Sequence, residues 1–394
     1  MFLPLSDAPN PQRVPWMNYF LIAMNLAAFA LFTLPLGVAP VDPRDPRLAE
    51  YIAAVRSSIP PDVPLQAVLR DLTSYDLFVF AHGFRPGAPH AIDLLTSMFL
   101  HGGFMHLFGN MLFLWIYGDN VEYRLGRVRY LIAYLATGAA ATLFYALLDP
   151  DSMLPLVGAS GAISGVLGFY FLWFPRNVVR VFVFLFPIFL RVVEFPARLV
   201  LGAYLVIDNL LPMLFTAGQS GGGVAHGAHI GGFVAGLAWA WIADRSAASS
   251  TPYEYAGAAR QAVAPSVVQA ALDRGDMEGA ARAYFATPSP EALEPSSCLA
   301  LANWLAENGH TDAALAVYRR FLRAHSADAG IARAHLGAGL MELRRGQLAP
   351  AYQHLQAVLD QRPSAEIRAA AVDALQEIAE LQKYPMRRYA SGAN

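Results

Sequence analysis

Residues 18–37, an almost unbroken apolar run between Asn18 and Gly37, are the feature that most constrains this chain. About 20 apolar residues in helical form cross the ~30 Å hydrocarbon core of a bilayer. Comparable runs recur at about 94–117, 130–148, 158–174, 197–215 and 224–243. With 56% hydrophobic residues among 394, and a mean hydropathy of +0.37, the chain is too apolar for an ordinary soluble protein of this size. The pattern predicts an all-α, polytopic membrane protein with six spans, followed by a soluble helical region.

Charge sets the orientation. The short segment 118–129 carries Arg124, Arg127 and Arg129, and 175–196 carries Arg176, Arg180 and Arg191, whereas 149–157 and 216–223 carry no basic residue. By the positive-inside rule both termini face the cytoplasm. The first 17 residues, proline-bearing with Arg13 as their one basic residue, resemble neither a secretory signal nor an Arg-rich transit peptide. The expected location is a bacterial inner membrane. A net charge of -2 with no basic patch argues against nucleic-acid binding, and a single cysteine, Cys298, excludes an internal disulfide and a thiolate metal cluster.

Two stretches are read as non-spanning. Residues 38–93 are polar and proline-rich and form a long outer loop with one amphipathic helix. Val181 to Leu190 is only about ten apolar residues and contains Pro187, so it reads as an interfacial segment of the inner loop. The expected domains are therefore a membrane unit over 1–245, a small-residue linker over 246–265 and a cytoplasmic helical domain over 266–394. The last contains a repeat. Gly275, Gly309 and Gly346 are each followed at +5 by Ala280, Ala314 and Ala351, and at +9 by Tyr284, Tyr318 and Leu355. This spacing resembles tetratricopeptide helix pairs, with a cytoplasmic protein as the expected partner.

The chemistry gathers at three places. Ser160 lies in Gly158-Ala159-Ser160-Gly161-Ala162-Ile163-Ser164-Gly165, at the start of a span that descends from the outer face. His229 lies five residues into the last span, at roughly 7 to 8 Å of helix rise, so the two side chains share a depth. An ionisable residue inside a span is a functional candidate, and Gly232-x-x-x-Gly236 gives its helix a flat face for close approach. A serine and a histidine at one depth make a nucleophile and base. His226, one turn nearer the loop, reads as non-catalytic. His106 and Asn110, four apart on the second span, offer two donors on one helix face, as acyl transfer requires where negative charge develops.

These residues together resemble the rhomboid intramembrane serine proteases. The resemblance rests on His101-x4-His106-x3-Asn110, the Gly158-Ala159-Ser160-Gly161 box, Gly227-Ala228-His229 with its Gly-x3-Gly, and Glu122-Tyr123-Arg124-Leu125-Gly126, over about residues 1–245. It implies a six-helix core with Ser160 as nucleophile and His229 as base. It also implies an oxyanion hole from His106, Asn110 and the Ser160 amide, a supporting role for His101, and structural roles for Glu122 and Arg124. Its substrates would be membrane-anchored proteins cut in or beside a transmembrane helix, entering near the fifth span, with the glycine-rich Thr216 to Gly223 as a mobile cap. One departure stands out. Some members carry a tyrosine four residues after the nucleophile that packs on the catalytic histidine; here that residue is Ser164.

No carboxylate is placed to orient His229, so the expectation is a Ser-His dyad without cofactor. A metal enzyme built on His101, His106, His226 and His229 is disfavoured, since no His-Glu-x-x-His motif and no intramembrane carboxylate complete a site. The remaining alternative is a catalytically inactive rhomboid-like scaffold that binds client helices.

Overall fold

The computed structural model describes residues 2–11, 13–58, 64–185, 189–216, 226–249, 264–287 and 293–383. Trp16–Val38, Arg127–Leu148 and Ala197–Phe215 are each long and apolar enough to cross a membrane. Asp93–Phe99 and Phe104–Leu125 pass the same test only as a pair, bent by 95°. Among the described residues, three helices, or four with that pair, therefore have the length and composition of a span. The straight span expected over 94–117 is corrected: Gly102 and Gly103 interrupt it, and helix resumes at Phe104.

Ser160–Trp173, the serine helix, has only 14 residues, or roughly 21 Å. Its side chains are buried nearly throughout, Leu167 and Tyr170 completely. A helix enclosed by others does not have to match the bilayer. His226–Ser249, the histidine helix, runs for 24 residues.

The inner loop expected at 118–129 is helical apart from its hinge. Phe104–Leu125 continues to Gly126, whose φ of +80° turns the chain directly into Arg127–Leu148. The polar residues of this stretch are buried because they have partners inside the fold. Glu122 accepts hydrogen bonds from the amides of Asn18 at 2.7 Å and Met17 at 3.2 Å, capping the first helix. Asn120 donates to Asp7 at 2.9 Å, and Tyr170 donates to the same carboxylate oxygen. The Arg124 guanidinium lies 4.3 Å from the centre of the Trp173 ring.

The all-α expectation is also amended. Asp7 belongs to β1 (Phe2–Ala8), which with β2 (Val178–Leu185) and β3 (Phe189–Pro196) forms a three-stranded sheet in the order β1-β2-β3. Val179, Val181 and Val183 are buried and alternate with exposed Arg180, the period-two signature of a half-buried strand. The apolar stretch read as an interfacial segment is thus mostly hairpin, with 186–188 outside the described residues. The outer loop holds more helix than expected: Arg47–Ser58, Leu65–Arg70 and Ser74–His82, the last opened by a capping box between Thr73 and Asp76.

The chain divides into two compact units, the first comprising 1–7, 13–175 and 179–240, the second 8–12, 176–178 and 241–394. The second contains three antiparallel helix pairs, Pro265–Asp273 with Met277–Ala286, Pro295–Glu307 with Thr311–Ala324, and Ile331–Arg344 with Leu348–Asp360, closed by Ala365–Lys383. Each pair turns at one of the repeat glycines, Gly275, Gly309 or Gly346, all with φ between +71° and +82°. Ala280, Ala314 and Ala351 are fully buried where the paired helices meet.

Candidate active site

The serine and histidine helices touch backbone to backbone. A methyl group on Gly232 would land on the carbonyl oxygen of Gly161, and one on Gly236 on the carbonyl oxygen of Gly165. Only hydrogen at those positions lets the helix axes come this close. At the Ser160 end of the contact the Ser160 Oγ lies 2.7 Å from the His229 Nε2. Ser160 is the first residue of its helix, so its amide belongs to the group with no carbonyl partner within the helix. That end also carries the positive pole of the helix dipole.

His106 stands beside this pair, and Asn110 follows it by one turn of the same helix. The Gly102 amide donates to His106 Nδ1 at 3.4 Å, so Nδ1 is the bare nitrogen and Nε2 carries the proton. That Nε2 borders Gly158, which has a φ of +123°. A side chain there would be strained, and its Cβ would lie 2.8 Å from His106 Nε2 and 3.6 Å from Ser160 Oγ. The glycine thus keeps open the volume between an N–H donor and the serine oxygen. Asn110 is buried, and its Nδ2 has no hydrogen-bond partner among the described residues, an uncommon condition that calls for an explanation.

His101 is fully buried, with both ring nitrogens unpartnered among the described residues. Its ring meets that of His106 edge-on at 5.1 Å, and its carbonyl accepts from the Tyr75 hydroxyl at 2.7 Å. His226 opens the histidine helix. Among the described residues no group of three or more His, Cys, Asp or Glu side chains could hold a metal ion. The expected cap lies, apart from Thr216, outside the described residues.

Residues 88–246, which contain Ser160, His229, His106, Asn110, His101 and His226, match the family profile described as the Rhomboid domain. The match covers less than half of the chain. Its relatives include RHOMBOID-like protein 5 of Arabidopsis thaliana, 29% identical over 164 residues, covering 40% of this chain and 51% of the relative. Rhomboid protein 1, mitochondrial, of Saccharomyces cerevisiae is 37% identical over 100 residues, covering 24% and 29%. Rhomboid protease GluP of Bacillus subtilis is 44% identical over 75 residues, covering 19% and 14%. The chain therefore spans about half, or less, of the length of these relatives.

Within the matched segment, two residues of Ala197–Phe215 reach the histidine, and sequence reasoning assigned neither. Asn209, only 1% exposed, places its Oδ1 2.6 Å from His229 Nδ1. The Tyr204 ring stands 6.4 Å from the His229 ring at 30°, and its hydroxyl shares a 3.1 Å hydrogen bond with Ser164. The ring absent from position 164 is supplied by a neighbouring helix. A signal for Asn209 existed: it is a polar residue inside an apolar run, the criterion that singled out His229.

Proposed function

We propose that this rhomboid domain is an intramembrane serine endopeptidase, cutting membrane-anchored proteins in or next to a transmembrane helix. The observation that carries the reading is the 2.7 Å approach of Ser160 Oγ to His229 Nε2; the unpartnered Nδ2 of Asn110, one helical turn from His106, accords with it. The rhomboid family includes serine intramembrane proteases, and Rhomboid protease GluP is among the relatives.

In this mechanism His229 Nε2 takes the Ser160 proton as Oγ attacks the peptide carbonyl carbon. The developing oxyanion accepts hydrogen bonds from His106 Nε2–H, Asn110 Nδ2–H and the Ser160 amide, in the volume that Gly158 leaves open. The imidazolium then protonates the leaving amine as the C–N bond breaks. Water, deprotonated by the same nitrogen, releases the acyl group. A buried donor without a partner has the form expected of a group that is satisfied only as charge develops. His101 supports the His106 ring by packing against it.

The protein is an integral membrane protein; its apolar runs support six spans, and its arginine distribution supports cytoplasmic termini in a bacterial inner membrane. The glycine-turned helix pairs of the second unit support a tetratricopeptide-like module that binds a cytoplasmic protein.

The test is labelling of the detergent-solubilised full chain with a serine-directed phosphonate. Wild type should label and Ser160→Ala should not, with cleavage of a tagged transmembrane substrate lost in both Ser160→Ala and His229→Ala. Equal cleavage in the wild type and both variants would sink the reading.

A further inference from the structure

We infer that Asn209 is a positioning residue for His229, completing a Ser160–His229–Asn209 relay in which an amide takes the place of the carboxylate usual in serine hydrolases. The inference rests on the reading of Ser160 and His229 as nucleophile and base. It follows from a chain of hydrogen bonds in which each partner fixes the next. The Tyr204 carbonyl can only accept, and Asn209 Nδ2 donates to it at 2.9 Å. The amide is thereby oriented, so the atom 2.6 Å from His229 Nδ1 is the oxygen Oδ1. An amide oxygen only accepts, so Nδ1 must carry the proton. Nε2 is then bare, 2.7 Å from the Ser160 hydroxyl, and that hydroxyl donates to it. The backbone of one helix thus selects the imidazole tautomer able to act as a base.

The local fold is arranged for this. Residues five apart on an α-helix point about 140° apart, which would turn Asn209 away from the Tyr204 carbonyl. Between them the helix changes to a π turn, Val206–Leu210, in which the Leu211 amide bonds back to the Val206 carbonyl. The wider turn brings Asn209 beneath that carbonyl, with Asp208 exposed and Asn209 buried. Single π turns are uncommon and recur at functional sites. The Tyr204 ring against His229, held through Ser164, limits rotation of the imidazole from a second direction.

The test compares full-length wild type, Asn209→Leu and Asn209→Asp in detergent. Leucine has a similar size and no acceptor; aspartate restores an oxygen acceptor. Asn209→Leu should label with the phosphonate and turn over substrate on the order of 10- to 100-fold more slowly, with KM little changed, because orientation of the base is lost and binding is not. Asn209→Asp should recover most of that loss. In ¹⁵N-histidine spectra wild type should show His229 protonated at Nδ1, and Asn209→Leu should show a shift toward the Nε2–H form. A wild type that labels, with Asn209→Leu labelling equally fast, overturns the inference and leaves the Ser160 reading standing. Unchanged tautomer with equal losses in both variants also overturns it. A folded wild type that does not label removes the serine reading itself.

Discussion

Tyr204 and Ser164 share a 3.1 Å hydrogen bond between the Ala197–Phe215 helix and the fully buried face of the serine helix. Two helices here share a contact that the rhomboid resemblance assigns to one tyrosine four residues beyond the nucleophile. Tyr204→Phe, which keeps the ring, should retain activity to within about threefold, whereas Tyr204→Ala should lose about tenfold or more as the imidazole gains freedom. Ser164→Tyr should destabilise the fold by about 1–3 kcal/mol through overpacking, since that space is already filled. Cleavage rates and thermal unfolding of the three variants, measured together, separate ring loss from overpacking.

The glycine contact between the serine and histidine helices gives a second expectation. Gly232→Ala and Gly236→Ala place a methyl on a carbonyl oxygen and should force the helices apart, costing about 1–3 kcal/mol of stability and at least about tenfold in activity. Gly202→Ala is the control: nothing lies within 4 Å of the added methyl, and alanine is the better helix former, so its stability should hold or rise. If all three behave alike, close approach is not what sets the serine–histidine distance.

Glu122 caps the first helix through the amides of Met17 and Asn18. Glu122→Ala leaves the buried Asn18 amide and the half-buried Met17 amide without a partner and should cost about 1–3 kcal/mol. Glu122→Gln keeps one oxygen acceptor and should recover part of the loss. Denaturant midpoints of the two variants check this, and an Ala variant as stable as wild type would refute the capping role.

In the second unit the pH dependence has a definite sign. Burial, then repulsion from Arg176, holds the His335 pKa down to about 4 from its ordinary 6.5, against an opposing pull from Asp360. His335 Nδ1 also faces His354 Nδ1 at 3.1 Å, where a second proton would set two N–H groups against each other. The folded state therefore binds fewer protons than the unfolded state between about pH 4 and 6.5. Stability is fully present above that window and is lost as pH falls through it, by about 1–3 kcal/mol. Amide exchange in Ile331–Arg344 should accelerate from pH 6.5 toward 4, after correction for intrinsic rates, and His335→Leu should flatten the trend.

The sequence made the site legible where the chemistry depends on composition and depth. Ser160 and His229 were paired by distance from a shared membrane face, His106 and Asn110 by helical spacing, and the close helix contact by Gly232 and Gly236. The repeat glycines likewise mark the turn inside each of the three helix pairs of the second unit. What escaped depends on who meets whom. Asn209 acts through the partners on either side of it, and nothing in its own run reveals that a π turn will aim it at His229. The valines of 178–183 carry a strand's alternation, but apolarity in a membrane chain drew the reading toward lipid. The partners of Asn120 and Glu122 escape a sequence reading because Asp7 and the Met17 and Asn18 amides lie over 100 residues away.

The pairing of β1 with β2 fixes an order of events in biosynthesis. The two strands are separated by roughly 170 residues, and Asp7 in β1 also takes hydrogen bonds from Asn120 and Tyr170. At ~5–20 residues per second, β1 leaves the ribosome roughly ten to thirty seconds before its partner strand exists. A strand made well before its partner is fastened late, and until then its edge is open to any other strand within reach.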